Sequence, residues 1–466
     1  MQEIFLSLIL VCVTFSHYIG YFALLDSPWQ CVSNSTVCKL NGTVTADESS
    51  YKDRCNMTPH DWEYTQPKSF SMASQFDLHC QSTWTIQMAI SSFYLGQFLG
   101  GSINGYLADR FGRKKVLFLS TAWNLLGNFL CAFSPNIWFL ICIRFFLGCS
   151  VQGGLLQAFI LLCEMVGPNY RPMASSIYWQ FWNISNSILT LTAYYASNWK
   201  LLFILCSAPY VFVLGFFPFI PESIRWLQTH GKKDIAMKIM KRVAKFNGRA
   251  IPEGVELHEI NFSVTGKKKS LLDLFKSTNK AKKILILSYG WIAGNMLYHG
   301  LALASGGFGG NVYLNFLLVS LMEIPAAILY GVLVKCIGRK KTTVYSCFLA
   351  SLACLSFIFI PINNEWKTLR LVFGMLGKLF VSIKYNTMFL WSAELYPTNI
   401  RATATAFVQC MAPLGSFAAP WISRYLKEVY PSVQFATFGA VALLSGILLL
   451  LLPETKDQPT AEVDET

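Results

Sequence analysis

Glu323, Lys378 and Lys384 are charged residues set inside long apolar stretches. An ionisable group at such a place is expensive in hydrocarbon and normally faces a partner or a water-filled cavity. A carboxylate there can hold a cationic solute, and an ammonium can hold an anionic one. Lys378 and Lys384 are six residues apart, so on a helix they project from different faces. Trp291 and Tyr298 are seven apart and share a face, and aromatic faces attract cations. His299 could titrate near neutral pH, although a satisfied buried imidazole is the simpler reading, and Arg144 reads first as a pin between helices. This is chemistry for holding an ion rather than for breaking a bond. No nucleophile–base pair and no metal-ligand spacing stands out, so neither enzyme, metal nor cofactor is expected. GGFGGN (306–311) follows no strand, which removes the dinucleotide-loop reading.

Groups of this kind need helices to carry them. The chain of 466 residues is 53% hydrophobic and only 14% charged, against about 25% charged in soluble domains. Its apolar runs alternate with short polar knots, the pattern of a polytopic membrane protein. Twelve stretches are long enough to cross a bilayer: 4–25, 84–106, 116–134, 137–163, 173–195, 200–220, 283–303, 311–335, 342–361, 369–392, 402–425 and 433–452. The first could instead be a cleaved signal peptide, but Met1-Gln2-Glu3 brings no positive charge to its start.

Two connections are long. Residues 26–83 hold four Lys/Arg against seven acidic residues; residues 222–283 hold fifteen against six. Lys and Arg collect on the cytoplasmic side, most tellingly in short loops, and the short knots at 110–115 and 339–341 are basic. This places the 26–83 loop outside and both termini in the cytoplasm, at the plasma membrane. The net charge of +13 then faces anionic lipids, and nucleic-acid binding is excluded. The outer loop carries Cys31, Cys38, Cys55 and Cys80, fit for two disulfides in any of three connectivities. It also carries glycosylation sequons at Asn34, Asn41 and Asn56. The other ten cysteines read as small core residues.

The chain repeats itself. GYLADRFGRKK (105–115) returns as GVLVKCIGRKK (331–341), 226 residues on; EMVGPNYR (164–171) returns as ELYPTNIR (394–401), 230 on; Pro221-Glu222-Ser223 returns as Pro453-Glu454-Thr455, 232 on. Three signatures in one order at nearly one offset indicate a duplicated unit. Six predicted helices per unit keep the copies in the same orientation, the parallel repeat of carriers whose halves rock about a central site. The expected division is 1–221 for the first half with its outer loop 26–83, 222–282 for a cytoplasmic loop, 283–452 for the second half, and 453–466 for a polar tail with a disordered composition. Asp109 and Arg113 are four apart, placed to pair if the turn is helical, and Gly105 offers close helix approach. Orientation alone would account for the basic residues, but not for Asp109 or for the recurrence of Gly-Arg-Lys-Lys.

These residues resemble the major facilitator superfamily, whose signature G-x-x-x-D-R-x-G-R-K/R is met by GYLADRFGRKK; the second copy lacks the acid. Finer features resemble the organic ion transporters of solute carrier family 22: FDLHC (76–80), RFFLG (144–148), PESIRWL (221–227), GGNVYLNF (309–316), EIPA (323–326), ELYPTNIR and LPETK (452–456). The resemblance implies an all-α membrane fold of twelve helices in two six-helix halves. It implies alternating-access transport of small organic ions by a monomer, with organic cations or zwitterions such as carnitine ahead of anions. It puts the solute among Trp291, Tyr298, Phe159, Gln180, Glu323, Lys378, Lys384 and Asn386. It puts gating on Asp109, Arg110, Arg113, Glu164, Arg171, Glu222, Arg225, Arg339, Glu394 and Arg401. Two features depart from the family. Pro413 stands where cation carriers have an acid and many anion and carnitine carriers an Arg, and His299 stands where a Tyr is usual. Asn386 and the two lysines favour the anion alternative. Pro413, with no cytoplasmic leader before the first stretch, motivates a transport-inactive receptor or scaffold as a further alternative.

Overall fold

The computed structural model describes residues 2–33, 35, 37–38, 40, 42–45, 49–81, 83–167, 170–248, 275, 278–361, 364–396, 398–430 and 432–458. The first half contains α1 Gln2–Ala23, α2 Thr83–Phe111, α3 Arg113–Ala132, α4 Ile137–Met165, α5 Arg171–Tyr195 and α6 Trp199–Gly215. A lateral helix, α7 Lys233–Phe246, follows. The second half contains α8 Thr278–Leu303, α9 Val312–Leu321, α10 Glu323–Ile337, α11 Arg339–Leu355, α12 Lys367–Glu394, α13 Thr398–Cys410, α14 Ala412–Val429 and α15 Val433–Leu449. Asparagines start three of these helices. Asn136 accepts from the Phe139 N–H at 2.8 Å, Asn198 from the Leu201 N–H at 2.7 Å and Asn311 from the Tyr313 N–H at 2.9 Å, satisfying donors that a helix N-terminus leaves open.

Two expected continuous stretches are broken. Residues 311–335 form α9 and α10, interrupted at Met322, and residues 402–425 form α13 and α14, interrupted at Met411. Pro325 and Pro413 sit in the first turns after the breaks, where a missing N–H is tolerated. By length and apolar character, four stretches among the described residues can cross a membrane on their own: Ile4–Ala23, Ile137–Met165, Val312–Ile337 and Arg339–Ile358. α8 and α12 are more polar because they carry His299, Lys378 and Lys384, all turned inside the protein.

One apolar core joins residues between 6 and 220 and takes in Ala302 and Phe316; two more are built from residues between 284 and 452. α2 and α4 pack closely. A Cβ on Gly100 would lie 2.4 Å from Cys149 Cα, and one on Gly148 would lie 1.9 Å from Phe93 O. Gly105, the residue the sequence pointed to for close approach, has nothing among the described residues within 4 Å of such a Cβ. The approach therefore lies one to two turns earlier, where the helices touch.

The loop after α1 is not structureless. A three-stranded antiparallel sheet, β1 Trp29–Cys31 flanked by β2 Thr43–Val44 and β3 Trp62–Tyr64, packs over buried Trp29. Arg54 is buried with its guanidinium 4.2 Å from the Tyr51 ring centroid and 5.4 Å from those of Trp62 and Tyr64. The disulfides are Cys31–Cys38 and Cys55–Cys80, which fixes one of the three connectivities. Asn56 is exposed, and Asn34 and Asn41 lie outside the described residues.

Candidate functional site

Glu323 opens α10, directly after the break, and is 9% exposed. Lys378 of α12 reaches it across the second half, Nζ to Oε1 at 3.0 Å. The Tyr298 hydroxyl of α8 donates to the same oxygen at 2.5 Å. Lys378 Nζ also lies 3.0 Å from the Tyr298 ring centroid and donates to the Tyr298 carbonyl at 3.3 Å. A buried charge is tolerable when it is paired and hydrogen-bonded, and this pair is both. From the first half, Trp182 Nε1 of α5 donates to the Tyr298 hydroxyl at 2.9 Å.

Aromatic rings extend from this point. Tyr298 stacks on Tyr385 at 5.5 Å; Trp291 meets Tyr385 at 5.2 Å and Phe389 at 4.7 Å. Phe389 meets Trp179 of the other half at 6.0 Å, and Trp179 meets Phe159 at 5.8 Å. Trp291 is 2% exposed and its indole N–H has no acceptor among the described residues. The structure thus brings Trp291, Tyr298, Phe159, Glu323 and Lys378 around the plane where the halves meet. Gln180 is half-buried on α5 and accepts from Asn183 Nδ2 at 3.1 Å; Asn386 is half-buried beside Tyr385.

Lys384 lies apart. Its ammonium donates to Gly290 O at 3.1 Å and Ser445 Oγ at 3.0 Å, between α8 and α15, as the six-residue offset from Lys378 requires. The sequence reading missed Trp182, Trp179, Tyr385 and Phe389. The signal existed in part: Trp179 and Trp182 are three apart on one helix face, and Tyr385 is seven beyond Lys378.

His299 sits at the meeting plane. Tyr94 Oη lies 3.3 Å from its Nδ1, and the ring of His17 from α1 lies 6.3 Å away and nearly parallel. His17 Nε2 in turn is 2.7 Å from Gln97 Nε2. Arg144 is fully buried; its Nε donates to Ala89 O at 2.8 Å and its guanidinium lies 5.1 Å from the Phe93 ring, which ties α4 to α2.

The charged motifs form two like clusters at the other end of the bundle from the disulfide loop. In the first half Arg113 pairs with Asp109 at 3.1 Å and with Glu164 at 4.0 Å. Ser223 donates to Glu164, and Glu222 accepts from the Lys114 N–H at 3.0 Å. In the second half Arg339 pairs with Glu394 at 2.9 Å, Thr455 donates to Glu394 at 2.5 Å, and Glu454 accepts from the Arg339 N–H at 2.9 Å. The repeated Gly-Arg-Lys-Lys now has a physical reason. Gly112 and Gly338 stand at φ +107° and +90°, a region open to glycine. A Cβ there would strike the Glu222 or Glu454 carboxylate, at 2.4 and 2.6 Å. The glycine leaves room for the acid of the Pro-Glu-Ser/Thr signature to cap the next helix. Asp109 and Arg113 do pair, but across the break at Gly112 rather than along one continuous helix. The stretch from Pro453 to Lys456 is ordered by these contacts, contrary to its composition. Arg171 and Arg401 close their own turns, donating to Val166 O at 3.4 Å and Tyr396 O at 3.0 Å. Arg110 lies 5.4 Å from the Phe111 ring and Arg225 is exposed.

Each ion pair described at this end stays within its own half. The halves touch nearer the loop end: Arg424 with Asp26 at 3.3 Å, Tyr21 with Ser305 at 3.3 Å, and Ser91 with Phe417 O at 2.8 Å.

Two helical halves meeting over a buried ion pair and an aromatic wall define a membrane carrier. A family profile described as "Sugar (and other) transporter" matches residues 32–466. The chain is 35% identical over 409 residues to solute carrier family 22 member 2 of Rattus norvegicus, covering 87% of this chain and 73% of that protein. It is 32% identical over 469 residues to organic cation/carnitine transporter 4 of Arabidopsis thaliana, covering 97% and 85%. The fold matches the xylose transporter XylE from E. coli in an inward open conformation, with TM-score 0.67 at 14% identity over 98% of this chain and 97% of that one. The chain belongs to the major facilitator superfamily and, within it, to solute carrier family 22: it is a multi-pass membrane transporter of small organic substrates and not an enzyme.

Proposed function

We propose that this transporter moves small organic cations and zwitterions, carnitine-like betaines among them, across the plasma membrane by alternating access. The observation that carries the reading is the buried Glu323 carboxylate, walled by Tyr298 and Tyr385 and shared with Lys378 between the halves. A cationic head takes the carboxylate and the ring faces; a zwitterion adds its own carboxylate to Lys378. The indole N–H of Trp291 is a donor left over for the solute. The name of the Arabidopsis relative agrees with this solute class. The anion alternative is weakened because Lys378 is neutralised by Glu323 and Lys384 is engaged elsewhere.

Closure at the loop end with both charge clusters confined to their halves is the arrangement of a carrier open toward the basic end. The termini and residues 222–282 then face the cytoplasm, the halves run 1–221 and 283–452 with a tail at 453–466, and glycans sit on Asn34, Asn41 and Asn56. The gating set of Asp109, Arg110, Arg113, Glu164, Arg171, Glu222, Arg225, Arg339, Glu394 and Arg401 holds each half's end in shape and re-pairs across the halves when that end closes. The carrier acts as a monomer. Uptake of a labelled organic cation, carnitine and an organic anion by cells with verified surface protein, under clamped membrane potential, tests the reading. Potential-sensitive uptake of the cation, or uptake of carnitine, is expected. Uptake of the anion alone contradicts it, and uptake of none with surface protein present returns the receptor reading.

A further inference from the structure

A cleft of about 260 Å³ opens beside the basic end, between the foot of α6 and α7. Its lining is largely apolar: Phe219, Ile220, Ile235, Ile239 and Val243. Two cations line it as well, Lys114 at the start of α3 and Arg242 on α7 beside Val243. Glu222 also lines it, but that carboxylate already accepts from the backbone N–H groups of Lys114 and Ser223 at 3.0 and 2.9 Å. Lys114 lies ahead of the apolar stretch of α3. Burial first, and Arg242 behind it, lower its pKa against the opposing pull of Glu222. Two cations thus share one cleft whose one acid among the described lining residues is committed.

α7 shows what surrounds the cleft. Lys233, Lys238, Lys241, Arg242 and Lys245 stand against Asp234 alone, while Ile235 is 49% and Phe246 70% exposed. Phe219, at the foot of α6, is 59% exposed. Basic residues beside an apolar face lie in a membrane interface, and anionic headgroups attract them. The segment is fastened rather than trailing: Trp226 Nε1 donates to Asp109 O at 2.8 Å and packs with Leu227, Ala236 and Ile239. A free inorganic anion would have no use for the apolar wall.

We propose that this cleft is a binding site for an anionic phospholipid, its phosphate between Lys114 and Arg242 and its glycerol and acyl chains along Phe219, Ile235 and Ile239. The site ties the lipid to α7, which packs on Trp226, the residue that donates to Asp109 O in the first charge cluster.

The test is native mass spectrometry of the full chain in detergent, titrated with dioleoylphosphatidylserine or dioleoylphosphatidylcholine, alone and against glycerophosphoserine or inorganic phosphate. Wild type should retain the anionic lipid in preference to the choline lipid. Arg242→Gln should weaken that retention about fivefold, whereas Lys238→Gln, on the same helix but outside the cleft, should change it much less. Arg242 is exposed on α7, so its replacement leaves folding intact, and unchanged cation uptake under saturating lipid reports this. Equal retention of the two lipids, equal loss in both variants, or full displacement by the soluble headgroup or by phosphate would each overturn the proposal.

Discussion

Glu323 and Lys378 are each buried and each compensates the other, so removing one leaves a naked charge. Glu323→Gln should destabilise the protein by about 3 kcal/mol, and adding Lys378→Met should return most of that, because replacing a whole buried pair is often near neutral. Thermal unfolding of purified variants measures both; equal instability of single and double variants contradicts the pairing. Glu454 allows a second residue-level prediction. Burial opposes its charge, but N–H groups of Lys456, Arg339, Thr455 and Lys340 together hold its pKa below the ordinary carboxylate value. A lowered folded pKa gives stability that is present above the unfolded value and lost as pH falls through the folded one. Glu454→Gln should cost about 1 kcal/mol near neutral pH and flatten the acid limb of a stability-against-pH curve. Identical curves for variant and wild type contradict the cap. The sequence exposed these residues unevenly. Glu323 and Lys378 stood out because charge inside an apolar stretch is rare, whereas Trp182 and Tyr385 were hidden among an aromatic content of 15%, where only spatial neighbours separate a site residue from a packing one. Lys384 shows the converse: the same rarity singled it out, and its place between α8 and α15 follows from a helical offset that was readable but not decisive.

At the scale of elements, Gly112 and Gly338 set the starts of α3 and α11. Gly112→Ala and Gly338→Ala each put a side chain at positive φ and drive a Cβ into a capping carboxylate. Each should destabilise by about 1–3 kcal/mol, while Gly105→Ala, with open space around it, should be neutral or mildly stabilising. Surface expression and melting temperature read this contrast, and equal behaviour of the three variants contradicts it. The pattern of apolar stretches placed the long helices, because a helix buried or lipid-covered on most sides must be apolar along most of its length. It could not place the breaks at Met322 and Met411, since proline is tolerated in a first turn and weakens a helix elsewhere. The β-strands of the outer loop are two or three residues long, too short for any periodicity; disulfides and the Arg54 ring stack hold them, and neither pairing was readable.

For the whole molecule, the repeat predicted two copies of one unit, and the two clusters bear this out contact by contact: Arg113 and Arg339, Glu164 and Glu394, Ser223 and Thr455, Glu222 and Glu454. The copies differ at Asp109, matched by Lys335. Asp109 is 75% exposed and pairs only with Arg113 among the described ion pairs, so it contributes little to folding and is available to another partner. Asp109→Asn should alter transport kinetics with little loss of surface protein; unchanged kinetics contradict a gating role. At the loop end, where Arg424 and Asp26 are only partly exposed, Asp26→Arg should lower uptake roughly two- to fivefold, and Asp26→Arg with Arg424→Asp should restore most of it. The proposed transport requires solute to meet Glu323 between the halves. The most direct measurement is the initial rate of cation uptake in cells matched for surface protein, comparing wild type, Glu323→Gln and Lys384→Met. At least a tenfold loss is expected for Glu323→Gln, about 1.4 kcal/mol of lost solute interaction, and far less for Lys384→Met. Wild-type uptake by Glu323→Gln would contradict it.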